Sequence, residues 1–330
     1  MAFDFDAAVQ APHRMQPGLR RLAAGARQLT PTIADATGAL AGADSRRTDA
    51  GQRHLREKLA VLGAFAPQAL LQVPGFDAGL ALAALAAQAA AEHPGAFAID
   101  GDHWLAHGLG WALDGDAPVE LAPGWPEVGT VLAALEPGWR RTALLSLAFA
   151  EDFAVIDATT GTLPWLAVAL PSVWAPEHKV GRSFAEAHAP VADNRLITGA
   201  APQLVKLVTG GERWERFVWT LTAHPRLHAH PDRVDPARWA PGLDDDSLAA
   251  QTWWRTERQT FIPVPGAAQA VFTIGVDVQP LARAMATPAM AGQVHDALAS
   301  MSDAVLAYRG LSTARPALLR WLARRAAEAA

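Results

Sequence analysis

The pattern of hydrophobic and polar positions changes character twice along the chain. Up to about residue 140 the apolar positions fall in helix-like stretches, the clearest running from an N-cap at Asp77 through residues 78–92 to a stop at Pro94-Gly95. Short apolar runs bounded by turn residues then take over, at 142–149, 153–156 and 165–170, with a turn at Asp157 to Gly161. Further strands are expected at 216–222, 259–264 and 270–278, the last two separated by Pro265-Gly266, and short helices at 183–188 and 203–209 fall between strands. After Pro280 the helical spacing returns, and Pro316 opens a last helix whose Arg320, Arg324 and Arg325 face solvent. This order predicts an α+β fold: a mostly antiparallel sheet with N- and C-terminal helical elaborations. No clean linker divides the chain. Residues 1–330 therefore form one elaborated domain, with a mainly helical part over 1–140, a core over 141–280 and C-terminal helices over 281–330. The Pro- and Asp-rich segment 231–246 is expected to be a long surface loop.

Composition narrows the function. With 28 basic and 33 acidic residues the net charge is −5, so no global basic field exists to hold a nucleic acid. The start carries Asp4 and Asp6 where a secretion signal needs basic residues, and the longest apolar run, 80–91, falls short of the roughly 20 residues that span a bilayer. A cytoplasmic protein with no membrane partner is expected. The chain has no cysteine, which excludes disulfides, thiolate-ligated heme and cysteine-held iron–sulfur clusters together. Any redox iron must take nitrogen or oxygen ligands, and 11 histidines are available.

Two segments are candidates for chemistry. In the first, Pro171, Pro176 and Gly181 stiffen a loop that delivers a short helix ending in His188, just before Pro190, with Lys179 and Arg182 upstream. His188 suits an iron ligand and the cations suit carboxylates; a proline-stiffened corner whose histidine caps a helix is the alternative. The second segment is Trp253 to Phe261. On a strand, Arg255, Glu257 and Gln259 share one face while Thr256, Arg258 and Thr260 share the other. Arg255 or Arg258 suits a carboxylate and Glu257 a cationic amine, while a salt-bridged edge strand is the alternative. His103 and His107 have the i, i+4 spacing of one helix face, and His224, His228 and His230 cluster in a Pro-rich segment; both groups are expected to be structural. Neither a phosphate-binding Gly-rich loop nor a Gly-x-Ser-x-Gly elbow is present.

Taken together, Glu151-Asp152, the Pro171-Ser-x-Trp-x-Pro-x-x-Lys-x-Gly run leading into His188-x-Pro-Val, Arg255-x-Glu-Arg-Gln-Thr, Phe272-Thr-Ile and Tyr308-Arg-Gly-Leu resemble the alpha subunit of heme-dependent oxidative N-demethylase, over about residues 140–311. The resemblance implies a PAS-like sheet holding heme b. It further implies a bacterial, multisubunit monooxygenase that uses O2 to demethylate a small secondary amine such as dimethylamine, releasing formaldehyde. Electrons would come from NADPH through FMN and an iron–sulfur cluster on a partner reductase subunit. In this resemblance His188 is the iron ligand, Lys179, Arg255 and Arg258 are basic positions for the heme carboxylates, and Glu257 is the acid between the arginines. Ala187, Val218 and Arg309 depart from the family's usual Ile, Asn and Lys. A heme-based sensor, a non-catalytic ligand-binding relative and a heme-free relative are the other readings.

Overall fold

The computed structural model describes residues 3–33, 45–121, 123–234 and 238–328. Eleven strands among these residues form two antiparallel sheets. They are β1 (Arg20–Arg21), β2 (Leu70–Gln72), β3 (Phe97–Asp100), β4 (His103–Ala106), β5 (Trp111–Asp114), β6 (Ala117–Glu120), β7 (Asp152–Asp157), β8 (Thr162–Ala167), β9 (Trp214–Thr222), β10 (Trp253–Pro263) and β11 (Gln269–Pro280). The large sheet runs β1-β9-β10-β11-β7-β8-β2 and the small one β3-β4-β5-β6. The α+β expectation holds, and among the described residues no helix is long and apolar enough to cross a membrane.

Two local expectations are corrected. Residues 142–149 are not a strand: they fall mostly in the helix Pro137–Ala148, in which Thr142 through Ala148 are all buried. A helix buried on every side loses the periodic polar stripe that distinguishes it from a buried strand. The His103–His107 segment is not a helix either. His103 opens β4 and pairs with Asp114 across the small sheet, while His107 begins a 3-10 turn, so the two imidazoles share no helical face. The missed signal is a pair of two-residue turns, Gly101-Asp102 and Gly115-Asp116, whose glycines both sit at φ +59°. The N-terminal part therefore holds a four-stranded meander as well as helices.

One face of the large sheet is closed by the helices Ser45–Ala69, Gly79–Glu92 and Pro137–Ala148, which contribute Leu55, Leu62, Leu85, Leu144 and Leu147 to a core shared with Val271, Val276 and Val278. A buried ion pair pins this layer. Lys58 is fully buried, donates to the Phe149 and Glu151 carbonyls at 3.0 and 2.6 Å, and lies 3.2 Å from the Asp152 carboxylate. Asp152 also accepts the Leu170 N–H at 2.6 Å. The Glu151-Asp152 motif thus ties helix to strand. Towards the other end, Trp254 stacks on Trp219 at 4.9 Å and joins a second core with Leu298, Leu318 and Leu322 of the C-terminal helices Pro288–Ala299 and Arg315–Ala327. Arg320 and Arg324 remain exposed there and pair with Asp245. The face of β7, β9, β10 and β11 that these layers leave free lines a cavity.

Candidate functional site

Strand alternation builds the floor of the cavity. On β10, Arg255, Glu257, Gln259 and Phe261 face it, and β9 supplies Arg216, Val218 and Thr220, which are the register partners of Gln259, Glu257 and Arg255. Phe272 and Ile274 of β11 and Ala154 and Ile156 of β7 extend the floor as apolar surface. The roof comes from the loop after β8, the helix Phe184–His188, the helix Ala201–Val208 and the Tyr308-Arg309 turn. The cavity has a volume of about 420 Å3, inside the range of roughly 300–1,000 Å3 of small-molecule and cofactor sites.

His188 is delivered by a closely specified piece of chain. Ser183 caps its helix, accepting from the Glu186 N–H at 3.2 Å while the Glu186 carboxylate accepts from the Ser183 N–H at 2.9 Å. At the other end Asn194 donates to the His188 and Ala189 carbonyls at 3.0 and 2.9 Å, and Lys179 donates to the Ala187 carbonyl. The imidazole lies against Phe184, with ring centroids 4.3 Å apart, and its Nδ1 is 2.8 Å from the Phe184 carbonyl. A carbonyl only accepts, so Nδ1 carries the proton. Burial pushes the imidazole down to about 4, with Arg216 and Lys179 adding to the effect and the Phe184 bond opposing it. The ring is therefore neutral at pH 7, with an unprotonated Nε2 on a side chain that lines the cavity. That is the state in which histidine binds a metal, its second nitrogen held by a backbone acceptor.

The other expected site residues fall in different places. Lys179 lines the cavity, and burial lowers its ammonium. Arg255 lines it too, but its guanidinium is committed to the frame. It donates to Ser172 Oγ at 2.9 Å and to the Arg226, Leu227 and Pro171 carbonyls at 2.9, 2.7 and 3.4 Å. Burial brings it down to about 10. These bonds hold the loop at Val173, a β-branched residue at φ +62°, whose N–H reaches the Ala229 carbonyl at 2.9 Å. Glu257 faces the cavity and accepts from Gln259 Nε2 at 2.6 Å. Arg258 is not brought in with them. It points from the opposite face of β10, as the alternation requires, and binds Glu215 at 2.9 Å and the Arg27 carbonyl at 2.7 Å.

Three cavity residues were not anticipated. Arg216 is enclosed by protein on the cavity floor, the surface it retains being cavity wall, and its Nε has no hydrogen-bond partner. Burial lowers its guanidinium and the Glu257 field opposes this. Arg309 lies over the Trp219 ring at 5.5 Å with Nη1 unpartnered, and burial brings it down to about 10. His224, expected on a surface loop, lines the cavity with Nδ1 unpartnered, and burial with Arg255 and Arg226 pushes it down to about 4. It lies two residues beyond the end of β9, whose Arg216, Val218 and Thr220 also line the cavity. His228 and His230 belong to the frame instead, bonded to the Ala169 carbonyl at 2.7 Å and the Glu177 carboxylate at 3.1 Å. The 231–246 segment, of which 235–237 lie outside the described residues, is not only surface. Trp239 donates to Thr252 Oγ1 at 2.8 Å and lines the cavity.

Residues 135–319, more than half of the chain, match the family described as "Haem-dependent oxidative N-demethylase, alpha subunit-like". The chain belongs to this family. Every cavity residue named above from Ala154 to Arg309 falls inside the matched span. The residues present also fit the group in the family's description. A heme needs a nitrogen ligand for its iron, an apolar wall for the porphyrin and cationic donors for its carboxylates. The cavity offers His188 Nε2, the Phe184, Phe261, Phe272 and Ile156 surface, Arg216 with its unpartnered Nε, and Lys179.

Proposed function

We propose that this chain is the heme-binding, catalytic alpha-type subunit of an O2-dependent oxidative N-demethylase, a cytoplasmic enzyme acting on a small secondary amine and releasing formaldehyde. The observation that carries this reading is His188: a neutral imidazole whose Nδ1–H is tied to the Phe184 carbonyl and whose Nε2 remains for iron, on the wall of an apolar cavity whose floor holds Arg216 with a buried, unpartnered Nε. The order β8-β7-β11-β10-β9, with the helices of residues 184–208 carried between β8 and β9, supports a PAS-like heme-binding core over 141–280. Residues 1–140 and 281–330 are elaborations of that one domain.

His188 would hold the iron through Nε2, with Phe184 and Asn194 fixing the ring and its helix end. Arg216 and Lys179, which line the cavity, would meet the heme carboxylates. Arg216 takes the role first expected of Arg255 and Arg258, because Arg255 commits four of its five N–H donors to Ser172 and three carbonyls and Arg258 faces away. When bound, heme would supply the O2 chemistry, in which O2, two electrons and two protons convert an N-methyl group to formaldehyde and leave the shortened amine and water. Glu257 holds the substrate ammonium, oriented by the Gln259 amide, and accepts the proton the amine must lose. The apolar floor of Phe261, Phe272 and Ile274 keeps water from the methyl group. Electrons come from an NADPH-oxidising partner carrying FMN and an iron–sulfur cluster, since a chain without cysteine holds no ordinary cluster of its own.

The test is turnover. Heme-loaded protein given a competent electron donor, O2 and a panel of methylated amines releases formaldehyde, and with NADPH alone it is inactive. Ferrous protein that binds O2 or CO yet turns over none of the panel is a heme-based sensor instead.

A further inference from the structure

The cavity carries opposite charges at Glu257 and Arg309 that form no ion pair with each other. Glu257 is a carboxylate whose bonded donor is the neutral Gln259 amide. Arg309, on the turn after the helix Asp303–Tyr308, lies over the face of Trp219, reaches Met15 Sδ at 3.7 Å through Nη2 and leaves Nη1 buried without a partner. Tyr308 stands with both: the Glu257 field raises its phenol, Arg309 lowers it, and burial raises it further. It lines the cavity while remaining 47% exposed, so this group lies where the cavity meets solvent. Arg216 and Lys179 both act on His188, and Arg216 also feels the Glu257 field.

We infer that the amine this cavity takes carries a carboxylate: an N-methylated amino acid, bound as the zwitterion with its ammonium at Glu257 and its carboxylate at Arg309. This rests on the N-demethylase reading and names its substrate class. A simple dimethylammonium ion satisfies Glu257 and leaves the Arg309 Nη1–H desolvated and unpaired, which is costly for a buried donor. A zwitterion supplies the missing acceptor. An arginine fork that must meet a planar carboxylate also explains why this cation is built against an indole face, which fixes the plane of the guanidinium.

Isothermal titration of the heme-loaded protein with N-methylglycine, and separately with dimethylamine, tests the assignment without turnover. N-methylglycine binds at least tenfold more tightly than dimethylamine. Arg309→Gln weakens N-methylglycine at least tenfold, leaves dimethylamine within twofold and keeps the heme spectrum; Arg309→Lys falls between. The assignment is overturned if dimethylamine binds as tightly as N-methylglycine in the unaltered protein, a comparison that needs no variant to fold. It is also overturned if Arg309→Gln loses heme, because Arg309 then holds a heme carboxylate. A purified protein with no heme band even after hemin is added refutes the N-demethylase reading instead, and the ranking of the two amines on that sample still decides this one.

Discussion

Replacing Arg216 by leucine separates a structural arginine from a cofactor-binding one, because the two roles predict opposite signs. Without ligand, Arg216 is a cation enclosed on the cavity floor with an unpartnered Nε–H. A buried donor left unsatisfied costs about 1–3 kcal/mol. Leucine removes that cost and keeps much of the apolar stem, while Glu257 loses a compensating field and returns part of the gain. The heme-free Arg216→Leu protein is therefore more stable than its parent by about 1 kcal/mol. Heme retention moves the other way. Losing one charge-assisted hydrogen bond, about 1.5–3 kcal/mol, weakens binding by roughly 10- to 150-fold. Urea unfolding of the heme-free protein, followed through tryptophan fluorescence, measures the first effect, and heme loss to an excess of a competing heme-binding protein measures the second. If Arg216→Leu destabilises the heme-free protein and leaves heme loss unchanged, Arg216 is part of the frame and the carboxylate assignment fails.

Three further outcomes follow from the packing and the titrating groups. Lys58→Met leaves Asp152 buried without its cation and two carbonyls without their donor, and lowers stability by roughly 3–5 kcal/mol; an unchanged urea midpoint contradicts the pinning role given to this pair. Gly129→Ala places a Cβ 2.2 Å from the Trp111 ring, so the small sheet must shift from the helix Pro126–Ala134 at a cost of about 1–3 kcal/mol, seen as a lowered melting temperature; a normal melting temperature means that the two are not in contact. His13, His188 and His224 are each pushed down to about 4, mainly by burial. The unfolded chain therefore binds more protons than the folded one between about pH 6.5 and pH 4. Heme-free protein should lose stability as pH falls through that window, by at most about 1.4 kcal/mol per pH unit for each histidine. A urea midpoint equal at pH 7 and pH 5 shows that these rings are not held neutral.

Much of this site could be anticipated from short-range rules. Alternation along β10 placed Arg255, Glu257 and Gln259 together and set Arg258 apart, and the structure follows that parity. Assigning a carboxylate to both arginines conflicted with it. The short helix expected at 183–188, before Pro190, is present, and the structure adds that a Ser183–Glu186 capping box opens it. What escaped depends on partners distant in sequence. Arg216 and Arg309 are ordinary surface-type residues until β9 is paired with β10 and the Tyr308 turn closes over the sheet. Nothing within a few residues of either shows that they will be enclosed. Arg255 looked free for a ligand because its four acceptors lie between 28 and 84 residues upstream. The helix Pro137–Ala148 was hidden for the converse reason, since tertiary contact on every side erased its local period.

The account stands on His188, and spectroscopy of one variant tests it. Purified protein reconstituted with hemin should show a histidine-ligated heme spectrum. His188→Ala should lose that spectrum while its far-ultraviolet circular dichroism is unchanged, and added imidazole should restore it by occupying the space of the missing ring. A His188→Ala protein with the parent's spectrum, or the loss of that spectrum on substituting His224 or His103 instead, contradicts the assignment at its centre.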